Sequence, residues 1–204
     1  MTARAPIFLD RDGTVIVELH YLSDPDAVRL ETGVLEGLAS LSAHGHPLIV
    51  VSNQSGIGRG MFTEEAARRV NQRAAELLAR GGVDILDWYI CPHVPEAACM
   101  CRKPAPGLPL TAARQHGLAL AGSYVIGDKP SDLELADAIG GTGILVTSGH
   151  GAAAAGWARS TGRPVFGDMK AAAQFILAGD GQAPRRQAPG EQEPGGPRPG
   201  GPRP

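Results

Sequence analysis

The sequence predicts an α/β protein of three layers, α/β/α, built on a central parallel sheet. Short apolar runs of strand length alternate with helix-like segments, and the runs stop abruptly at polar residues. The scale fits as well. A chain of 204 residues, 43% hydrophobic and 20% charged, can bury one sizeable core.

In chain order, the first predicted strand is Ile7–Asp10, an apolar run ending on an aspartate. A helix follows over Val34–His44, then the run Pro47-Leu48-Ile49-Val50-Val51, which predicts a strand over Leu48–Ser52. The next helix spans Thr63–Arg80. Thr63 before Glu64 and Glu65 is a start signal, because a hydroxyl satisfies a free amide and acids complement the helix dipole. Further strands are predicted at Asp87–Cys91, Tyr124–Gly127 and Gly143–Val146, with helices over Gly107–Gly117, Ser131–Ile139 and Asp168–Leu177. Open parallel sheets bind ligands beyond the carboxyl ends of their strands. Asp10, Ser52 and Asp128 all fall at such ends.

One domain over residues 1–179 is expected. From Asp180 to Pro204 there are seven prolines, six glycines and four arginines with no large apolar residue, a composition that cannot offset the entropy of ordering and predicts a disordered tail. The formal net charge of −2 gives no general attraction to nucleic acid or an anionic membrane. No apolar segment is long enough to span a bilayer, and residues 1–6 lack the apolar stretch of a secretory signal. The expectation is a cytoplasmic monomer without nucleic-acid or membrane partners.

Asp10 and Asp12 are spaced two apart at a strand end, so both can address one pocket once the chain curls out of the sheet, and Gly13 permits the curl. Such a pair alone also fits a metal site or a solvated turn. Three segments further along the chain add weight: Ser52-Asn53-Gln54-Ser55-Gly56, then Cys101-Arg102-Lys103-Pro104, then Gly127-Asp128-Lys129-Pro130-Ser131-Asp132. Phosphate monoester hydrolysis needs a nucleophile, charge neutralisation and a proton for the leaving alkoxide, and each need has a candidate in this series. Taken singly, Asp12 could be a turn residue, Ser52 a strand terminator, Lys103 a surface charge and Asp128 a helix cap.

In this order the segments resemble the four motifs of the haloacid-dehalogenase-like (HAD) phosphatases, over residues 6–150. The resemblance implies a Rossmann-like fold with a minimal cap. It implies that Asp10 is the nucleophile forming an aspartyl-phosphate and Asp12 the proton donor and acceptor, with Ser52, Asn53 and Lys103 on the transferring group. It also implies Mg²⁺ held by the Asp10 carboxylate, the Asp12 carbonyl and Asp128, with Lys129 beside the metal. Asp132 is either a neighbour of that site or a helix start.

All three cysteines lie in Cys91-Pro92-His93-Val94-Pro95-Glu96-Ala97-Ala98-Cys99-Met100-Cys101. Cys91, His93, Cys99 and Cys101 are a full tetrahedral donor set for Zn²⁺ with no place left for water, which makes the predicted site structural. An odd cysteine count in a chain expected to be cytosolic argues against a disulfide. Folding this loop on a metal would hold the adjacent Arg102 and Lys103 toward the pocket.

The loop is similar to that of the zinc-loop HAD phosphatases acting on D-glycero-D-manno-heptose 1,7-bisphosphate and on histidinol phosphate. Asn53-Gln54-Ser55-Gly56-Ile57-Gly58-Arg59-Gly60 resembles the heptose branch, which implies removal of the C7 phosphate in nucleotide-activated heptose biosynthesis. By the same resemblance Glu18, Leu19, His20 and Tyr21 face the substrate, as do Asn53, Gln54, Ser55, Arg59 and Arg102. The stretch Leu19-His20-Tyr21 departs from a His-Gly-Tyr-like pattern: the histidine is displaced by one and the glycine is missing. Histidinol phosphate or another small phosphosugar is the alternative substrate, and a sugar hydroxyl could replace water as acceptor. A non-catalytic zinc-binding module is the alternative of another class; it would need a basic face that the composition does not offer. The segments after Asp12 and Gly56 are too short for a large cap, so an open pocket is expected. His44, His46, His116 and His150 are expected to be structural or solvated.

Overall fold

The structure is a computed structural model and describes residues 4–182. Its elements are β1 (Ile7–Leu9), α1 (Val34–Ala43), β2 (Leu48–Asn53), α2 (Ser55–Gly58), α3 (Glu64–Arg80), β3 (Asp87–Cys91), α4 (Gly107–His116), β4 (Tyr124–Gly127), α5 (Pro130–Ala138), β5 (Thr142–Val146), α6 (Gly151–Ser160), β6 (Val165–Phe166) and α7 (Met169–Gln182). The strands form one six-stranded sheet in the order β3-β2-β1-β4-β5-β6, every pairing parallel. The chain winds outward in both directions from β1 and β4. That makes their junction the topological switch point, where a ligand crevice opens.

Alternation along the strands builds the two outer layers. Ile7, Leu9, Leu48 and Val50 point to one face and join residues of α1, α3 and α7 in the larger core cluster. Phe8, Ile49 and Val51 point to the other and pack with Leu108 and Ala112 of α4 and Leu135 and Ala136 of α5. Ile7, Phe8 and Leu9 are all fully buried, as expected for a central parallel strand covered on both sides. At the start of α3 the Thr63 hydroxyl accepts the Ala66 N–H at 3.1 Å, the predicted cap.

Three elements lie outside the sequence expectation. β6 has only two residues, too few to carry a period. α2 is a single turn. α6 is an alanine-rich segment without an apolar and polar alternation, and it buries only Gly151, Ala155 and Ala158. The backbone of α7 runs on to Gln182, and the tail predicted from Asp180 otherwise lies outside the described residues.

Candidate active site and metal-binding loop

Asp10 follows β1 directly, and its N–H donates to the Ile126 carbonyl of β4 at 2.9 Å, so the switch point fixes its backbone. Its Oδ1 accepts the Arg11 N–H at 2.7 Å and meets the Lys103 ammonium at 2.6 Å. Lys103 Nζ also reaches Asp132 Oδ1 at 2.7 Å. Both sites are almost fully buried, where a lone charge would be costly and a paired one is held firmly. Burial pushes the Asp10 carboxyl up, but Lys103, Lys129 and the Arg11 amide outweigh it and hold the group below its ordinary range. Lys103 is held cationic: burial opposes its charge, and Asp10 and Asp132 more than restore it. Its main chain is clamped by Asn53, whose Oδ1 accepts the Lys103 N–H at 3.0 Å and whose Nδ2 donates to the Lys103 carbonyl at 3.2 Å.

Asp12 is gripped from two sides. Arg11, 1% exposed, donates from Nε to Oδ2 at 3.1 Å and from Nη2 to Oδ1 at 3.0 Å, and its Nη1 donates to Asn71 Oδ1 of α3 at 2.9 Å. Gln54 Nε2 donates to Asp12 Oδ2 at 2.7 Å and to Ser52 Oγ at 2.8 Å. A forked guanidinium and an amide therefore fix the plane of this carboxylate.

Asp128, at the end of β4, is fully buried. Its Oδ2 accepts the His150 N–H at 2.8 Å; its Oδ1 is buried with no hydrogen-bond partner, and the Lys129 ammonium stands 3.8 Å away. Burial, then the charge of Asp10, pushes the Asp128 carboxyl up to about 7. Asp132 is lifted to about 6 by burial, against Lys103. Carboxylate oxygens of Asp10, Asp128 and Asp132 lie within 4.8 Å of one another. Three buried acids, two of them paired with Lys103 and the third with an oxygen that has no hydrogen-bond partner, suit a hard divalent cation. Asp132 is the least available of the three. Its Oδ1 is on Lys103 and its Oδ2 accepts the Lys129 N–H at 3.0 Å, so it acts both as helix start and as anchor for Lys103.

Asp10, Asp12 and Lys103 open onto a cavity of about 310 Å³ lined also by Arg11, Glu18, His20, Tyr21, Leu22, Asn53, Gln54, Ser55, Gly56, Arg102, Lys129, Ser131 and His150; Ser52, Asp128 and Asp132 are buried and do not line it. Most of the residues predicted to meet substrate are thus brought together. Leu19 and Arg59 are not. Both are exposed and absent from the lining: Leu19 turns out of its loop, and Arg59 lies beyond the single turn of α2. Lys129, expected beside the metal, sets its ammonium 3.8 Å from Asp128 Oδ1, and its carbonyl accepts the Asp132 N–H at 3.0 Å. It is a cation beside the acids, 3.6 Å from Glu18.

His150, expected to be structural or solvated, is exposed and also lines the cavity, with Nε2 3.7 Å from Glu18. Glu18 also accepts the His20 N–H at 2.8 Å. His20 and Tyr21 both have positive φ, 49° and 62°, so the missing glycine has left two bulky residues in left-handed backbone at the cavity mouth. Asn71, which accepts from Arg11, and Ser148, which donates to the Gly13 carbonyl, are contacts to the site that the sequence does not signal. Neither has a local signature, since each acts across the fold.

The metal-binding loop leaves β3 at Cys91. Sγ atoms of Cys91, Cys99 and Cys101 are 3.2 to 3.5 Å apart, and His93 Nδ1 is 3.6 Å from Cys91 and 3.2 Å from Cys101. Such spacings exceed the roughly 2.05 Å of a disulfide and come close to the edge of about 3.7 Å that a tetrahedron with zinc–sulfur bonds of about 2.3 Å requires. Burial first, then the neighbouring thiols, pushes Cys91 up to about 12, while bonds from Cys101 and Cys91 bring Cys99 down to about 6 against its own burial. Arg102, next in the chain, donates to the His93 carbonyl at 3.2 Å and so closes the loop on itself.

A Rossmann-like sheet carrying Asp10 and Asp12 at its switch point, with Ser52, Lys103 and Asp128 around the same crevice, defines a HAD-like phosphatase. A family model described as HAD-hydrolase-like matches residues 100–172. A D-glycero-beta-D-manno-heptose-1,7-bisphosphate 7-phosphatase from Yersinia pestis is 39% identical over 186 residues, 87% of this chain and 92% of that protein. One of the same name from Escherichia coli is 36% identical over 84% of this chain and 87% of that protein. The crystal structure of D,D-heptose 1,7-bisphosphate phosphatase from B. bronchiseptica, complexed with magnesium and phosphate, superposes with a TM-score of 0.79 at 31% identity, covering 86% of this chain and 99% of that one. The chain belongs to the heptose bisphosphate phosphatase family of HAD-like hydrolases.

Proposed function

We propose that this chain is a Mg²⁺-dependent phosphatase that removes the C7 phosphate of D-glycero-β-D-manno-heptose 1,7-bisphosphate through an aspartyl-phosphate on Asp10. The observation that carries the reading is the Asp10–Lys103 pair at 2.6 Å, in one cavity with the fixed carboxylate of Asp12. The substrate is inferred from the names of the relatives and favours the heptose branch over the histidinol branch.

The oxygen of Asp10 not engaged by Lys103 and Arg11, Oδ2, attacks phosphorus. The alkoxide that leaves takes the proton of Asp12, and Asp12 then removes a proton from the water that cleaves the acyl phosphate, returning Asp10 and inorganic phosphate. Mg²⁺, held by Asp10, Asp128 and the Asp12 carbonyl, would screen the repulsion between two anions. Lys103 and the Ser52 hydroxyl stabilise the equatorial oxygens, and Asn53 acts by holding the backbone of Lys103. Arg102, Lys129 and the Glu18, His20, Tyr21 and His150 side of the mouth meet the rest of the sugar phosphate. The zinc loop orders Arg102 and Lys103 without entering the reaction. The chain is taken to act as a monomer in the cytoplasm; no helix among the described residues is long and apolar enough to cross a membrane.

Phosphate release from both anomers of heptose 1,7-bisphosphate, histidinol phosphate and fructose 1,6-bisphosphate tests the assignment. Preference for the β anomer is expected. Turnover of histidinol phosphate alone would overturn it.

A further inference from the structure

We infer that the turn Ser148-Gly149-His150, between β5 and α6, is a positioning element of the cation site: by taking one oxygen of Asp128 it presents the other to the metal. The inference rests on the reading of Asp128 as a ligand. Three hydrogen bonds and a lack of room carry it.

The His150 N–H donates to Asp128 Oδ2 at 2.8 Å, which leaves the buried Oδ1 without a hydrogen-bond partner, the Lys129 ammonium standing 3.8 Å away, in a residue grouped with Asp10 and Asp132. Ser148 Oγ donates to the Gly13 carbonyl at 2.7 Å, tying the same turn to the loop that carries Asp10 and Asp12. The Gly151 N–H closes the turn on the Ser148 carbonyl at 2.8 Å.

The remaining observation is a lack of room. Gly149 has φ +51°, and a Cβ there would stand 2.4 Å from Asp128 Oδ2 and 2.6 Å from the Gly13 Cα. A Cβ on Gly13, φ +81°, would stand 2.4 Å from that same oxygen. The carboxylate is therefore sandwiched between two glycine backbones and pinned by one amide. A carboxylate held at one oxygen and flanked on both sides cannot swing its other oxygen away from the cation. Partners that orient a ligand in this way typically matter about 10- to 100-fold in metal affinity.

The test uses the full chain with its zinc retained, and Mn²⁺ as the probe, since an oxygen site built for Mg²⁺ accepts it and free Mn²⁺ is counted by its paramagnetic resonance signal. Ser148→Ala is expected to weaken Mn²⁺ binding severalfold and Gly149→Ala by about tenfold or more. Parent-like Mn²⁺ affinity in both variants would overturn the inference, even if their melting temperatures fall, because a merely structural turn changes stability without changing the affinity of the folded site. If Gly149→Ala does not fold, Ser148→Ala decides alone. Asp128→Asn separates the two levels: parent-like Mn²⁺ binding in that variant would remove the ligand reading itself.

Discussion

Arg11 is a charged side chain buried in the crevice, and its donors go to Asp12 and Asn71. Removing a partner from such a group leaves a buried donor unsatisfied, at about 1–3 kcal/mol. Asn71→Ala is expected to lose that much in urea unfolding, and to lower kcat while KM stays near the parent value, because Asn71 acts on Asp12 through Arg11 and not on substrate. An increase in KM alone would contradict this. At Asp10 the expectation is sharper: Asp10→Asn should abolish phosphate release with the circular dichroism spectrum unchanged, and an active variant would exclude the covalent route. Asp10, Asp12 and Lys103 are legible in the sequence because their motifs are contiguous. Asn71 is not, because its partner is 60 positions away and an asparagine within a helix carries no sign of what it faces. His150 escapes the sequence for the same reason, since only the turn after β5 brings it to Glu18.

At the scale of elements, the metal-binding loop and β2 meet at Lys103. The loop sets the chain before it, and Asn53 at the end of β2 grips its amide and carbonyl. Metal analysis is expected to find about one zinc per chain. Stripping that zinc and restoring Mg²⁺ should leave the enzyme far less active, since Arg102 and Lys103 lose their shared anchor. Full activity without zinc would show that β2 alone suffices. The four donors can be read from spacing because they sit in one loop. β6 and α6 cannot, the one too short for a period and the other an alanine run whose burial depends on Leu133 and Leu145 from elsewhere in the fold.

Over the whole molecule, the acids of the crevice make stability depend on pH. Asp128, lifted to about 7 mainly by burial, and Asp132, lifted to about 6 by burial against Lys103, stand above the ordinary 3.8. A raised carboxyl contributes its stability fully below the unfolded value and loses it as pH rises through the folded one. Asp10 is shifted the other way; its contribution is complete above 3.8 and does not change in this window. Mg²⁺-free protein that keeps its zinc is therefore expected to melt at lower temperature as pH goes from about 5 to about 8, with the gain on adding Mg²⁺ growing over the same range. A gain that shrinks toward high pH would contradict it.

The sheet register has a consequence for how this chain can change length. Leu9 lies opposite Val50 on one side and Ile126 on the other, so Asp10 leaves the sheet one residue short of the levels of Ser52 and Asp128. One residue inserted within β1 or β4 would move Asp10 or Asp128 by about 3.3 Å and turn it to the opposite face. The largely exposed loop from Val94 to Ala98 bears on no such register, and there the chain can gain or lose residues with the reacting groups still aligned. Substrate preference can thus drift by insertion and deletion, while the chemistry tolerates neither.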